Sequence, residues 1–226
     1  MIDWQTIRAN LDARGFAVST SVLSADTCEE IAATYQDRSL FRSRVIMRRH
    51  GFGDGEYQYF TYPLPDPVQR LRETAYPELA PLANLWAGRM GLDRSFPVRH
   101  DDYLETCHAS GQQKPTPLVL KYVEGDYNRL HQDLYGDLYF PIQMAVLLSD
   151  TSSFTGGQFV LSETRPRMQT RAEVIDLKQG DAVFFAVNQR PVPSARGYSR
   201  VTMRHGVSTV RSGHRMTLGV IFHDAR

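Results

Sequence analysis

The chain has 226 residues, of which 42% are apolar and 23% are charged, so it is long enough to bury a full core without disulfides or structural metals. A formal net charge of +1 provides no overall field that would attract nucleic acid or an acidic membrane. The two cysteines, Cys28 and Cys107, lie far apart and outside any CxxC motif, which excludes a disulfide framework and a cysteine zinc site.

The N-terminal stretch MIDWQTIRANLDARG has the pattern of an amphipathic helix with an early acidic residue, not that of a signal peptide. No apolar run approaches the roughly 18 residues that a membrane span needs. We therefore expect a cytoplasmic protein without a membrane partner. The sequence does not indicate an oligomeric state.

The first part of the chain, residues 1–114, is predicted to be mainly helical. Ser24 or Asp26 is suited to cap a helix that runs through Tyr35. The turn-rich GFGDGEY then precedes YPLPDPVQRLRETAY, in which Pro67 is suited to a first helical turn. Two later helices are predicted over Glu78–Met90 and Val98–His108.

The second part, residues 115–226, has the pattern of short strands. TPLVLKYV, FPIQMAVLLSD, GQFVLSE, DAVFFAV and HRMTLGVIFHD are rich in Val, Ile, Leu, Phe and Thr, and turn residues separate them. Such spacing favours a sandwich or a jelly roll over a parallel α/β sheet. The sequence thus predicts an α+β protein, a single domain over residues 1–226, in which N-terminal buttressing helices pack on a C-terminal double sheet.

The stretch NRLHQDLYGDLYFP contains His131 and Asp133 at positions i and i+2. In extended backbone these side chains leave the same face, so both can reach one metal ion. Two imidazoles and one carboxylate form the facial triad of non-haem Fe(II) oxygenases. His100 and Asp102 have the same spacing but fall in a predicted helix, where such positions diverge; this pair is predicted to be a solvated helix face.

The third ligand has three candidates downstream: His205, His214 and His223. If residues 211–213 form a hairpin loop, His205 projects from the same sheet face as Arg215 and Thr217, while His214 points the other way. His223 lies close to the chain end, where fraying makes a buried ligand unfavourable. His205 is therefore the predicted third ligand.

Arg215 is predicted to face the interior, where an unpaired guanidinium is very costly. Its planar fork matches a carboxylate, and Thr217 can add a hydroxyl to the same oxygens. A metal triad beside a carboxylate receptor is what 2-oxoglutarate requires. The alternative is an internal ion pair with one of the chain's own acids.

Several segments resemble, in order, the prolyl-4-hydroxylase-like branch of the Fe(II)/2-oxoglutarate-dependent oxygenases. The resemblance covers Leu118 to Phe222 and lies in LVLKYVEGDYNRLHQD, MAVLLSDTSSFTGGQFVLSE, GDAVFF and HGVSTVRSGHRMTLGVIF. The upstream part is similar to a bacterial subgroup, some members of which are encoded beside alkylation-repair genes. The resemblance implies a double-stranded β-helix (jelly roll).

The resemblance also implies a set of site residues and cofactors. His131, Asp133 and His205 would bind Fe(II), and Arg215, helped by Thr217 and Tyr122, would hold 2-oxoglutarate, with O2 as the other co-substrate. It implies hydroxylation of a C–H bond with release of succinate and CO2. Collagen hydroxylases of animals carry lysine where this chain has Arg215, which weakens the prediction of a collagen-type hydroxylase.

The branch favours a prolyl substrate in a peptide or protein, or a free amino acid. The first alternative is oxidative dealkylation of nucleic-acid bases, which the near-neutral net charge disfavours, although arginine clusters at residues 42–49 and 165–171 keep it open. The second is an inactive jelly-roll binding module. The aromatic stretch at residues 51–62 is either a substrate lid or ordinary packing.

Overall fold

The structure is a computed structural model that describes residues 2–226. Within this range the helices are α1 (Trp4–Arg14), α2 (Ala25–Ala33), α3 (Asp66–Arg89) and α4 (His100–Ala109). The strands are β1 (Phe16–Ser19), β2 (Phe41–Ile46), β3 (Gly53–Asp54), β4 (Glu56–Phe60), β5 (Leu118–Val123), β6 (Tyr127–His131), β7 (Ile142–Leu147), β8 (Phe154–Gly156), β9 (Phe159–Thr164), β10 (Arg171–Ile175), β11 (Ala182–Ala186), β12 (Gln189–Ser194), β13 (Gly197–Val207) and β14 (Val210–Val220). No helix in the described range is both long and apolar enough to cross a membrane.

The strands form two antiparallel sheets. The eight-stranded sheet has the order β1-β11-β7-β14-β5-β4-β2, with β8 joined to β14, and the six-stranded sheet has the order β10-β9-β13-β6-β3, with β12 joined to β13. Side chains of both sheets line one cavity between them. This is the predicted α+β class with a double-stranded β-helix.

Alternation along the central strand β7 shows how the helices buttress the large sheet. Met144 and Val146 join the apolar core that contains Tyr76 and Trp86 of α3. The intervening Ala145 belongs to a second core, which includes residues of the six-stranded sheet. Because successive side chains of a strand point to opposite faces, one face of the large sheet packs on helices and the other faces the second sheet.

The N-terminal part differs from the prediction because it also supplies strands. Four strands, β1 to β4, lie within residues 1–114, and β1, β2 and β4 extend the large sheet. The stretch proposed as a lid forms β3 and β4, and β4 pairs along its length with β5. These pairings join positions about 60 residues apart in the chain, so local sequence patterns did not indicate them.

The predicted helices are present with one change of boundary. Ser24 caps α2 by accepting a hydrogen bond from the Thr27 amide, as one of the two predicted caps. The two helices predicted around residue 77 are a single helix, α3, which contains Pro77 and Pro81. Its buried face continues past both prolines, and burial of that face outweighs the backbone hydrogen bonds that proline cannot donate.

Candidate active site

Two histidines and an aspartate meet on the inner face of the six-stranded sheet. His131 ends β6 and pairs in register with His205 of β13, so their rings lie 4.2 Å apart between centroids. Asp133 follows two residues after His131, and one ligand atom from each of the three residues lies within 4.8 Å of the others. The structure therefore brings together the three predicted metal ligands.

Hydrogen bonds orient this cluster. His131 Nδ1 lies 2.7 Å from the Arg129 carbonyl oxygen, so Nδ1–H donates there and Nε2 is left to face Asp133. Asp133 Oδ1 lies 3.4 Å from His131 Nε2, and Oδ2 lies 3.3 Å from His205 Nε2. The Tyr135 hydroxyl donates to Asp133 Oδ1 at 2.7 Å. Both carboxylate oxygens are thus held toward the two imidazoles.

The electrostatics favour an ionised Asp133 and a neutral His205. Burial acts to lower the pKa of His131, but Asp133 raises it overall, so a metal ion would displace a proton from His131. Burial acts to raise the pKa of Asp133, but the hydrogen bond from His131 and the neighbouring His205 hold it well below its usual value. Burial, together with the charge of His131, lowers the pKa of His205. An ionised carboxylate and a neutral imidazole are ready-made ligands, because metal binding requires deprotonated donors.

Arg215 lies on the facing strand, β14, and is 2% exposed. It donates to the Thr217 hydroxyl and lies 5.8 Å from the ring centroid of Tyr122, its register partner on β5. No carboxylate of residues 2–226 lies within 4.0 Å of Arg215, so the predicted alternative of an internal ion pair is not formed. Burial lowers the pKa of Arg215 to about 10, which leaves the guanidinium charged at neutral pH.

One cavity of about 220 Å³ connects the cluster to Arg215. Its lining includes the three clustered residues, Arg215, Thr217 and Tyr122, together with Tyr57, Phe159 and Phe185. A buried cation that lacks an anionic partner fits a ligand with a carboxylate. The donor set at the other end fits Fe(II), since two imidazoles and a carboxylate leave open coordination positions.

The predicted hairpin between the strands that carry His205 and Arg215 is wrong. β13 and β14 belong to different sheets, and residues 208–209 carry the chain from one sheet to the other. The predicted loop at residues 211–213 lies inside β14, where Ser212 and Gly213 pair with β8. His205 and Arg215 therefore face the same space from opposite sheets, not from one sheet face.

Three of the five other histidines, His100, His214 and His223, were considered from the sequence, and all three lie outside the cluster. His214 is exposed, as predicted. The predicted fraying at His223 is wrong: its side chain is fully buried, and Nδ1 accepts a hydrogen bond from the Phe140 amide. His100 lies on α4, as predicted, but it is 4% exposed and bonded to the Phe222 carbonyl oxygen, so it is not a solvated residue.

Among the polar residues of the cavity that sequence reasoning missed are Tyr135 and Gln143. Tyr135 continues the i, i+2 spacing of His131 and Asp133 by one further step, and that regularity was a usable signal. Gln143 is a polar residue within the otherwise apolar strand β7, at a position that faces the second sheet. A buried polar residue in such a strand is a further usable signal.

Comparisons with known proteins agree with the geometry of the cavity, because they also indicate an oxygenase. Residues 55–225 match a family model described as "Oxygenase, catalysing oxidative methylation of damaged DNA". Two uncharacterized proteins from two strains of Mycobacterium tuberculosis, CDC 1551 / Oshkosh and ATCC 25618 / H37Rv, are each 47% identical over 167 residues, which is 74% of this chain and 72% of theirs.

Solved structures show the same fold at low sequence identity. A prolyl-4-hydroxylase of Pseudomonas putida has a TM-score of 0.58 and 15% identity, with 99% of both chains covered. A 2OG-Fe(II) oxygenase family oxidoreductase of Burkholderia pseudomallei has a TM-score of 0.55 and 15% identity over 99% of this chain and 93% of the other. A prolyl hydroxylase of Trichoplax adhaerens, in complex with a hypoxia inducible factor peptide fragment, has a TM-score of 0.59 and 14% identity over 96% and 87%.

The matched model covers most of the chain, and the cavity contains donors suited to iron and to a carboxylate. The chain therefore belongs to this oxygenase family, within the 2-oxoglutarate–Fe(II) oxygenases, whose reaction uses Fe(II), 2-oxoglutarate and O2.

Proposed function

We propose that the protein hydroxylates a substrate C–H bond with His131, Asp133 and His205 as Fe(II) ligands and Arg215 as the anchor of 2-oxoglutarate. The observation that carries this proposal is that the three-residue cluster and a buried, unpaired guanidinium line one cavity from opposite sheets. An inactive binding module has no need of either feature, and still less of both together.

Each residue has a distinct role. His131 and His205 present Nε2 toward Asp133, and the Arg129 carbonyl holds the tautomer of His131 that permits this. Arg215 and the Thr217 hydroxyl bind the distal carboxylate of 2-oxoglutarate, and the Tyr122 ring closes that end of the cavity. The rings of Phe159 and Phe185 form part of the cavity wall and help to keep water out of the cavity.

When bound, Fe(II) with 2-oxoglutarate and O2 supplies the oxidising chemistry, in which one oxygen atom enters the substrate and the other enters succinate as CO2 leaves. The protein contributes binding, orientation and a dry cavity.

For the substrate we propose a methylated base in damaged DNA. The family description supports this class. Hydroxylation of an N-methyl group gives an N-hydroxymethyl group, which releases formaldehyde and restores the base. Tyr57 and Phe52 lie at the cavity and offer aromatic surface on which a base can stack, as enzymes that act on extruded bases require.

A peptidyl proline is the second candidate, and the arginine clusters favour it. Of the seven arginines in the two clusters, four are ion-paired with acids of the chain itself: Arg44 with Glu56, Arg48 with Asp54, Arg165 with Glu163 and Arg171 with Glu173. These pairs reduce the positive charge available to phosphates, and backbone phosphates dominate DNA affinity.

One experiment tests both levels of the proposal. Anaerobically prepared protein receives Fe(II), 2-oxoglutarate and then O2, with a methylated single-stranded oligonucleotide or a proline-containing peptide. Succinate, formaldehyde and a +16 Da peptide product are measured. We expect succinate with the wild type and with Asp137→Ala, an exposed control, but not with Asp133→Ala. Equal succinate from Asp133→Ala would remove this residue from the site.

A further inference from the structure

Gln143 is the one polar residue of strand β7, and its position is unusual. The side chain is 3% exposed, and its Nε2 has no hydrogen-bond partner among residues 2–226. It lines the same cavity as the metal-ligand cluster. Because a buried amide N–H without a partner is costly, its presence in an apolar strand indicates that a ligand accepts its hydrogen bond.

The sheet register places Gln143 level with the cluster. Its partner on β11 is Phe185, and the Phe185 ring lies 4.6 Å from the His205 ring between centroids. Leu147, four residues further along β7, pairs with Thr217 beside Arg215. Since a strand rises about 3.4 Å per residue, Gln143 lies about 14 Å along the sheet from the level of Thr217, and further from that of Arg215.

The residues around this end of the cavity are aromatic and apolar. Ile221 directly follows Val220, the register partner of Met144, and packs in one cluster with Tyr59, Tyr57 and Tyr135. Tyr57 and Tyr135 line the cavity itself. A largely apolar, aromatic-lined space with a free amide suits a planar ring that carries a hydrogen-bond acceptor on its edge.

We propose that Gln143 is a specificity residue whose Nε2 donates to an acceptor atom on the edge of the substrate base. This rests on the proposed function, and it assigns the Arg215 end of the cavity to 2-oxoglutarate and the Gln143 end to the substrate. A glutamine amide carries a donor and an acceptor and matches the paired groups on a base edge, as in adenine recognition. The prolyl ring offers no such edge.

The test compares Gln143→Leu, Gln143→Met and Gln143→Glu with the wild type and with Gln36→Leu, a control at an exposed glutamine outside the cavity. The substrates are single-stranded oligonucleotides with one central N1-methyladenine or N3-methylcytosine. KM for the oligonucleotide, KM for 2-oxoglutarate and substrate-free succinate formation are measured for each protein, with the melting temperature as a check on folding.

We expect KM for the oligonucleotide to rise roughly tenfold in Gln143→Leu and Gln143→Met, and further in Gln143→Glu, whose carboxylate repels an acceptor. KM for 2-oxoglutarate and substrate-free succinate formation are expected to stay within about twofold. The melting temperature of Gln143→Leu is expected to be unchanged or higher, because an unpaired polar group has been removed.

An unchanged oligonucleotide KM in folded Gln143→Leu and Gln143→Met would overturn the assignment. A rise confined to the KM for 2-oxoglutarate would also overturn it, because Gln143 would then contact the co-substrate. If the wild type makes succinate but oxidises only the peptide, the base substrate is wrong and the assignment fails with it. Absence of all succinate would instead refute the iron and 2-oxoglutarate site.

Discussion

Two buried arginines of this protein have opposite surroundings. Arg72 of α3 is fully buried and fully paired: it donates to the Asp224 carboxylate at 2.6 Å, to the Tyr62 hydroxyl at 2.7 Å and to the Ile221 carbonyl at 2.8 Å. Arg215 is almost as buried, yet within the described chain it donates only to the Thr217 hydroxyl and faces no carboxylate.

This difference distinguishes a buried charge that stabilises the fold from a buried charge that is available to a ligand. Arg72 ties the C-terminal residues to α3, and the Tyr62 hydroxyl and His108 of α4 add further bonds to Asp224 at 2.9 and 2.8 Å. All of that charge is satisfied within the protein, so it stabilises the fold without needing a ligand. Arg215 is a buried charge that the protein leaves unpaired, which is favourable only if a ligand supplies the anion.

The largest expected effect on stability comes from breaking the ion pair between Arg72 and Asp224. Arg72→Met leaves the Asp224 carboxylate buried without its cation, and we expect a loss of about 3–5 kcal/mol in the free energy of unfolding. Urea denaturation of the apo protein measures it. The double variant Arg72→Met/Asp224→Leu removes both charges and is expected to recover part of the loss. A loss below about 1 kcal/mol in the single variant would contradict the structural role of Arg72.

The matching change at the unpaired site is Arg215→Met. Its apo stability is expected to be equal to or greater than that of the wild type, because no protein carboxylate loses a partner. Binding of 2-oxoglutarate is expected to weaken by about 2–5 kcal/mol. Thermal melting with Fe(II), with and without 2-oxoglutarate, checks both, since a ligand that binds only the folded state raises the melting temperature. An undiminished shift in Arg215→Met would exclude it as the anchor.

Acid is expected to destabilise the fold in part through two buried histidines near Arg72. Burial and the charge of Arg72 lower the pKa of His100 to about 4 and that of His223 to about 3. The unfolded chain binds protons at imidazoles near pH 6.5, so stability falls as the pH decreases below that value. Each histidine costs roughly 2 kcal/mol between pH 6.5 and 5. Urea titrations at several pH values measure the slope, and a flat profile would contradict these shifts.

The smallest expected effect concerns the orientation of Asp133. Tyr135→Phe removes the hydroxyl that donates to Asp133 Oδ1, and we expect Fe(II) affinity to fall about tenfold. KM for 2-oxoglutarate is expected to stay constant, because Tyr135 lies away from Arg215 in the contacts described. Metal titration under anaerobic conditions measures the affinity, with Tyr198→Phe at an exposed position as the control. Equal Fe(II) affinity in the two variants would show that Tyr135 does not orient the carboxylate.

Much of this site was predictable from local pattern. The i, i+2 spacing placed His131 and Asp133 on one face, and the helical pattern excluded His100 and Asp102 from sharing a metal. His205, Arg215 and Thr217 were also expected to face one space, but the hairpin used to derive this was wrong, because β13 and β14 lie in different sheets. The resemblance of several segments in order compensated for that error.

Other features were not predictable, because they depend on which distant segments pair. The strands β1 to β4 are short, and β1, β2 and β4 are paired within the large sheet. The ion pair between Arg72 and Asp224 was not predicted either, because the two residues are 152 positions apart. It holds the residues around Asp224 in the core, where His223 is buried.

By itself, the sequence determined the strand and helix periodicities, the spacing of the His-x-Asp pair and the presence of candidate partners downstream. Those properties follow from the backbone repeat and need no knowledge of neighbours. Only the tertiary structure decided which arginine is paired and which is free, which histidine lies beside His131 and Asp133, and that Gln143 faces the cavity with an unused amide. Each of these depends on register between segments far apart in the chain, and register is set by the packing of the whole sheet.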